Sequence, residues 1–377
     1  MLRIGVDFHA FDGKFQGSRS HLIGLYRALV ARCPDVSFVF FLDKAGDLEQ
    51  LNGFDRPNVT CVRMRTRNPL IRLGWQLPLL RRRHRIDVMH TQYIVPFWGM
   101  KHTIVTIHDV LFEPYPQFFT KFFVWRSKLL FRWSAKVADF VMTVSRYSQD
   151  QLIARYGIAR ERVGLLLNAV DSQVFHPLGS EADESVMQKR QLPKGRYILS
   201  VGRIEPRKDH ATLLRAYALQ GSRPPPLVIV GQRDFGYEAF DKALRALPEG
   251  CDVRVLSDVD DAELPILMRH AQLFVYSSLA EGFGMPPLEA MACGVPVITT
   301  NTTALPEVVG EAGLTFKAGD HIDLAEKIGL VLTDQALAAR MRQKSIVRSG
   351  DFTWQNAADS FIGSLKTFAR PPRREGE

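Results

Sequence analysis

Three groups of residues combine types and spacings that could do chemistry. The first is Glu281-Gly282-Phe283-Gly284-Met285-Pro286-Pro287-Leu288-Glu289, two carboxylates with seven residues between them around a glycine-proline turn. Proline suits the first turn of a helix, where a missing N–H costs nothing, and Gly294 suits the position just past its end. Gly282 and Gly284 let backbone approach a ligand, and a helix N-terminus offers free N–H groups to an anion. The second group is Val201-Gly202-Arg203-Ile204-Glu205-Pro206-Arg207-Lys208-Asp209. Arg203 presents a planar fork and Lys208 a point charge, both suited to phosphate oxygens. The third is Thr106-Ile107-His108-Asp109, a His-Asp pair closing an apolar run. Each has a plainer structural reading. Glu289 in the first turn of its helix would complement the dipole, and Glu281 would be a solvated loop acid. The cations would line a solvated loop, where Arg207 is expected on either reading, and His108 would be a satisfied strand-end histidine. Two glutamates around one anion-binding turn fit that reading less well than either alone.

Strands and helices must hold these groups in place. Short apolar runs alternate with helix-period segments twice along the 377 residues, which implies parallel βαβ units and an α/β, doubly wound architecture. In the first stretch, strands are expected at Leu2–Phe8, Ser37–Leu42, Val59–Val62, Asp87–His90, Thr103–Ile107 and Phe140–Val144, with a helix over His21–Ala31. In the second they are expected at Tyr197–Val201, Leu227–Val230, Val253–Leu256, Leu273–Tyr276, Val295–Thr299 and Leu314–Phe316. A final amphipathic helix covers Thr353–Phe368. At roughly 150 residues per domain the length suits two. The expected divisions are a domain over 1–176, a polar connection over 177–195, a domain over 196–352, the last helix over 353–369 and a disordered tail over 370–377. Two such sheets facing each other would leave a cleft at their carboxyl ends, where this architecture binds ligands.

The E-x7-E segment resembles the retaining glycosyltransferases of family 4, also called group 1. The resemblance extends over the whole second half and more loosely over the first. It implies the GT-B fold, two Rossmann-like domains with a donor site in the second and an acceptor site in the first, and a C-terminal helix that crosses back to the first. In that family the second glutamate holds the ribose of a nucleotide sugar and the first lies against the transferred sugar. Carried over, Glu289 is the ribose residue, Glu281 the sugar residue, and Gly282, Phe283 and Gly284 supply backbone amides. The R-x4-K pattern at the matching place makes Arg203 and Lys208 the diphosphate ligands. Gly17, Ser18 and Arg19, at the end of the loop Asp12–Arg19, match a glycine loop that closes over phosphate or acceptor. His108 matches a histidine that touches the donor sugar, with Asp109 orienting it. Catalytic roles then fall to Glu281, His108, Arg203 and Lys208. The implied reaction is transfer of a hexose with retention, and the resemblance to bacterial mannosyltransferases of surface polysaccharides points to mannose from GDP-mannose. The implied acceptor is a lipid-linked or growing glycan. A GT-B enzyme that is not a transferase, an epimerase or phosphorylase, is the alternative; a basic nucleic-acid-binding protein is another.

Other features narrow the field. Cys33, Cys61, Cys251 and Cys293 lie far apart, and no C-x-x-C or H-x-x-x-H spacing occurs. Asp258-Val259-Asp260-Asp261 imitates a D-x-D metal motif, but Asp260 with Glu263 three residues later reads as a capping box. No metal or other cofactor is expected. The loop glycines do not fit G-x-G-x-x-G, which weakens a dinucleotide reading. No run of about 18 apolar residues occurs, and Met1–Asp7 reads as a strand rather than a secretory signal, so a cytoplasmic location is expected. The net charge of +9 is uneven: residues 1–190 hold 27 Lys+Arg against 17 Asp+Glu, and the remainder 22 against 23. Phe118, Phe119, Phe122, Phe123, Trp125, Phe131 and Trp133 interleave with Lys121, Arg126, Lys128, Arg132 and Lys136, and Arg81-Arg82-Arg83-His84-Arg85 adds a second basic block. This reads either as a buried amphipathic helix with solvated cations or as a surface on anionic lipid at the inner membrane face. No nucleic-acid partner is expected.

Overall fold

The computed structural model describes residues 1–9, 17–43, 53–66, 68–99 and 101–368. The loop residues 12–16 and the tail 370–377 lie outside them. The chain forms two compact units, Met1–Ala169 with Thr353–Glu377, and Val170–Phe352.

The first unit is built on seven strands: β1 Leu2–Asp7, β2 Val36–Leu42, β3 Val59–Arg63, β4 Val88–Gln92, β5 Thr103–Thr106, β6 Phe140–Thr143 and β7 Val163–Leu165. Their order is β3-β2-β1-β4-β5-β6-β7, and every pairing is parallel. Strands such as Val-Ser-Phe-Val-Phe-Phe-Leu of β2 are apolar at nearly every position because helices cover both faces of a parallel sheet. The second unit repeats the plan with β8 Ile198–Val201, β9 Leu227–Val230, β10 Val253–Leu256, β11 Leu273–Tyr276, β12 Val297–Thr300 and β13 Leu314–Phe316. Here the order is β10-β9-β8-β11-β12-β13, again all parallel. The order reverses between β1 and β4 in one sheet and between β8 and β11 in the other. Ligands of such folds bind beyond the carboxyl ends of the strands at that reversal.

Three expectations need correction. The strand Val163–Leu165 has no counterpart in the sequence reading, because Val-Gly-Leu is too short to show a period. The first helix runs Gly17–Arg32, so Gly17, Ser18 and Arg19 are its opening turn and not the end of a loop. The stretch 177–195, expected as a connection, belongs to the second unit. Its helix Ala182–Lys189 puts Val186 and Met187 into the same core as Leu267 and Tyr276, while its polar outer face gives the sequence its linker-like look. That helix also changes the capping box. Asp260 accepts from the amides of Ala262 (3.0 Å) and Glu263 (2.8 Å), but the Glu263 carboxylate turns to Lys189 (2.5 Å) and Arg190.

The last helix, Trp354–Phe368, is part of the first unit, where Ala357, Ala358 and Phe361 share a core with Leu22, Leu25 and Tyr26. Gly24 makes this packing possible, since a Cβ there would fall inside the Trp354 indole.

Candidate functional site

The carboxyl ends of β8 and β11 gather most of the chemistry in the second unit. After β8 the chain makes a single 3-10 turn, Pro206–Lys208, and Asp209 then caps the helix His210–Tyr217 by accepting from the Thr212 amide (3.3 Å). After β11, Ser277 donates to the Lys208 carbonyl (2.9 Å) and the Leu279 amide donates to the Arg207 carbonyl (2.8 Å). These bonds lock the two loops together and aim Lys208 and Glu281 at each other.

Four donors converge on one oxygen. Glu281 Oε1 receives Lys208 Nζ (2.6 Å), Ser278 Oγ (2.5 Å), Tyr276 Oη (3.0 Å) and, in an ion pair, Arg207 Nη1 (3.0 Å). Lys208 Nζ also donates to Tyr276 Oη (2.5 Å). Burial alone would raise the Glu281 carboxyl, but the charges of Arg207 and Lys208 outweigh it and hold the group at about 2. Burial pulls the Lys208 ammonium below its usual value despite the opposing charge of Glu281. Two residues here hold left-handed backbone at a cost: Asp209 (φ 46°), and Thr303 (φ 55°), whose Oγ1 accepts the Glu281 amide (3.0 Å).

Arg207, expected in solvent, is instead built into this network. It spans Glu205 (2.7 Å), the Ala280 carbonyl (2.8 Å) and Glu281, with its side chain 15% exposed. Arg203 is the exposed one at 63%, tied to Asp234 (2.6 Å) and at longer range to Glu205 (3.7 Å). The structure therefore joins Lys208 to Glu281 directly, and Arg203 only through the Glu205–Arg207 pair. Glu205, Arg207, Tyr276 and Ser278 were missed as site residues. The run Glu205-Pro206-Arg207-Lys208 holds the only signal, two charges flanking a proline turn, and Tyr276 and Ser278 leave none. Three cations meet three carboxylates here, so the cluster is already neutralised internally.

Beside it lies the helix Met285–Ala292. Gly284, at φ 116°, stands at its N-cap with no side-chain cap, and a Cβ would approach Leu305 Cδ2 to 2.7 Å. Pro286 and Pro287 bring no N–H, so the donors of the helix start reduce to the amides around Phe283, Gly284 and Met285. Phe283 anchors this turn with its ring edge-on to Phe352 at 5.7 Å. Gly294 and Val295 close the far end by donating to Met291 (2.9 Å) and Ala290 (3.1 Å). Glu289 is the fifth residue of this helix, beyond the first turn, so it is not placed to complement the dipole. It is half-buried and makes no ion pair among the described residues. Burial, with a smaller push from Asp261, raises its carboxyl to about 7. Two glutamates eight positions apart are thus shifted in opposite directions.

In the first unit, His108 follows β5 and is buried, with Nε2 on Gln92 Oε1 (2.8 Å) at the end of β4. With a carbonyl oxygen as partner, Nε2 carries the proton. His21 packs edge-on to it at 4.8 Å, and Tyr93 lies at 5.2 Å. Burial, and then the neighbouring His21 and His90, push the His108 pKa well below the usual histidine range, so the ring is neutral. Asp109 accepts from the Leu111 amide (3.1 Å), which shapes the following turn. Ser18 is buried and Arg19 half-buried.

Comparison with known proteins gives the family. A model described as "Glycosyl transferases group 1" matches residues 183–348, and one described as "Glycosyltransferase Family 4" matches 15–174. Over 271 residues the chain is 32% identical to "O-antigen chain mannosyltransferase B" of Escherichia coli, covering 71% of each. The chain belongs to the family 4 glycosyltransferases. Solved structures place this glycosyltransferase in the GT-B fold. A sucrose-phosphate synthase of Thermosynechococcus elongatus matches with TM-score 0.76 and 19% identity, over 98% of this chain and 99% of that one. HepE of Anabaena, in complex with UDP and glucose, matches with TM-score 0.71 and 20% identity, over 97% and 100%. Among the described residues of the glycosyltransferase, no group of three or more His, Cys, Asp or Glu could hold a metal ion, and no helix is long and apolar enough to cross a membrane.

Proposed function

We propose that this glycosyltransferase moves mannose from GDP-mannose, with retention at the anomeric carbon, to a lipid-linked or growing glycan at the inner face of the membrane. The observation that carries the reading is the buried Glu281–Lys208–Arg207 cluster beside an uncapped helix N-terminus at the β8/β11 reversal. That arrangement suits a sugar diphosphate, whose leaving group gains negative charge as its bond to C1 breaks. Preorganised donors aimed at such charge are worth several kcal/mol in a site shielded from water. In this reading Lys208, Arg203 and the amides of Gly282, Phe283 and Gly284 receive the diphosphate, Glu289 takes the ribose hydroxyls, and Glu281 takes hydroxyls of the sugar. His108, neutral and with its Nδ1 lone pair open to a hydroxyl donor, is assigned to the transferred sugar, and the opening helix turn Gly17-Ser18-Arg19 to phosphate or acceptor. The acceptor oxygen forms its bond to C1 on the face the diphosphate leaves, and a diphosphate oxygen takes the acceptor's proton.

Mannose is favoured by the similarity to an O-antigen chain mannosyltransferase of Escherichia coli. A panel of nucleotide sugars scored by thermal shift and by slow donor hydrolysis tests the choice. A ligand at about 100 times its dissociation constant stabilises by about 2.7 kcal/mol, so GDP-mannose should stand out. Stabilisation by UDP-sugars alone would overturn the donor assignment. An inverted anomer in the product, read by NMR, would overturn retention. Turnover of the donor into its epimer without an acceptor would replace transfer with epimerisation.

A further inference from the structure

The first unit carries most of the positive charge. Over the whole sequence it holds 29 Lys+Arg against 16 Asp+Glu, while the second unit holds 20 against 24. Within it, two segments have no acid at all. Residues 69–86 contain Arg72, Arg81, Arg82, Arg83 and Arg85, and residues 114–137 contain Lys121, Arg126, Lys128, Arg132 and Lys136.

The helix Lys121–Val137 in the second segment is apolar on two sides, which answers the question its sequence left open. One side, with Phe123, Val124 and Phe131, packs into the core around Phe112. The other side is bare: Phe122 is 67% exposed, Trp125 65% and Leu129 61%. Phe122, Trp125, Leu129 and Trp133 follow one another at helical spacing and form a stripe. At its end Trp133 meets Phe97 at 5.7 Å. Phe97 in turn donates its amide to the Leu73 carbonyl, and Trp98 donates Nε1 to the Gly74 carbonyl (2.5 Å), which fastens this end of the stripe to the first segment. There the chain passes through a three-residue helix, Pro69–Ile71, a π-helical turn, Arg72–Gln76, and the helix Leu77–Arg83. Leu70, Trp75 and Leu79 on these turns are again more than half exposed.

So many large apolar side chains left exposed on two joined segments are rare on soluble monomers unless something covers them. The cations tell what. The Arg82 guanidinium lies over the Trp98 ring at 5.0 Å and that of Arg126 over Phe122 at 6.0 Å, so positive charge rims the apolar strip. Four of the chain's five tryptophans sit along this strip, and indole rings favour the boundary between headgroups and acyl chains. A nucleic acid would be met by cations but would leave exposed leucines without purpose. Two of these cations meet acids from elsewhere in the unit, Lys128 at Glu113 (3.3 Å) and the buried Arg72 at Asp7 (3.7 Å); the exposed ones, set around Trp, Phe and Leu, match an anionic lipid surface.

We propose that this strip is a docking surface for an anionic phospholipid bilayer, with Trp75, Phe122, Trp125 and Leu129 entering the headgroup region and Arg82, Arg83, Lys121 and Arg126 against lipid phosphates. It deepens the membrane part of the functional reading above and is independent of the donor assignment.

Flotation of the full chain with vesicles of phosphatidylcholine alone, or mixed with phosphatidylglycerol, tests it. The chain should float only with the mixed vesicles and less at high salt, each cation changed to glutamine lowering the partition about fivefold. A quadruple variant, Trp75→Ser, Phe122→Ser, Trp125→Ser and Leu129→Ser, should lose flotation while keeping its melting temperature and its donor hydrolysis. No flotation of the unaltered chain at low salt overturns the proposal, as does undiminished flotation of the quadruple variant. A dimer that the same changes convert to monomer assigns the strip to a second copy instead, and duplex DNA that displaces the vesicles assigns the charge to nucleic acid. Failed donor hydrolysis with intact flotation counts against the transfer reading and leaves this surface standing.

Discussion

Glu289 makes the sharpest test of the proposed donor site, because its unligated state is at odds with its proposed task. Its carboxyl is raised to about 7 by burial and by Asp261, against 4.5 for an ordinary glutamate. To accept hydrogen bonds from both ribose hydroxyls it must be ionised, so nucleotide binding has to expel a proton whenever the pH lies below that value. The apparent dissociation constant is then multiplied by one plus the ratio of protonated to ionised Glu289. That factor is near unity at about pH 8 and about 30 at about pH 5.5, or about 2 kcal/mol. The perturbation is Glu289→Gln, which cannot ionise. The diphosphate has its own second ionisation near pH 6, but it enters both proteins alike. The quantity to measure by calorimetry is therefore the ratio of the two affinities across pH, with proton release read from buffers of different ionisation enthalpy. Unaltered enzyme should release nearly one more proton per nucleotide than the variant at about pH 6, and none more at alkaline pH. Stability moves in the opposite sense. Because the folded value exceeds the unfolded one, the folded chain holds an extra proton between about 4.5 and 7, and stability contributed through Glu289 grows as pH falls across that window. Equal pH slopes for the two proteins would refute the ribose assignment.

Two further outcomes follow from the geometry. Glu281→Gln leaves Arg207 and Lys208 without their shared counter-charge; breaking a buried pair this way costs about 3–5 kcal/mol, so the melting temperature should drop, turnover should fall by orders of magnitude, and the nucleoside diphosphate product should bind more tightly. Since the folded Glu281 titrates at about 2 against 4.5 unfolded, its contribution is present above about pH 4.5 and lost as pH falls towards 2, and acid titration of the variant should lack that loss; near-normal turnover would sink the assignment. Gly24→Ala should displace Trp354 and cost about 1–3 kcal/mol as overpacking, seen as earlier melting and faster proteolysis within Trp354–Phe368; an unchanged melting curve would contradict the packing described.

Much of this protein is set by local sequence. Apolar runs bounded by turn residues mark twelve of its strands, because inner strands covered by helices on both faces are largely apolar and even the edge strands β3 and β10 keep a half-buried apolar set, and the glycine-proline turn between Glu281 and Glu289 marks its own helix. The E-x7-E and R-x4-K spacings set carboxylates and cations just beyond the ends of β11 and β8. Only tertiary structure decides their electrostatic states. Nothing in the run Arg203–Lys208 tells that Arg207 turns inward and Arg203 outward, since the difference lies in which carboxylate each one meets: Glu281 from beyond β11, or Asp234 from beyond β9. The helix Lys121–Val137 makes the same point. Its sequence is aromatic and basic all round, and packing against Phe112 determines which aromatics become core and which stay on the surface. Residue type sets what a side chain can do; burial and charge from distant parts of the chain set which of those things it does.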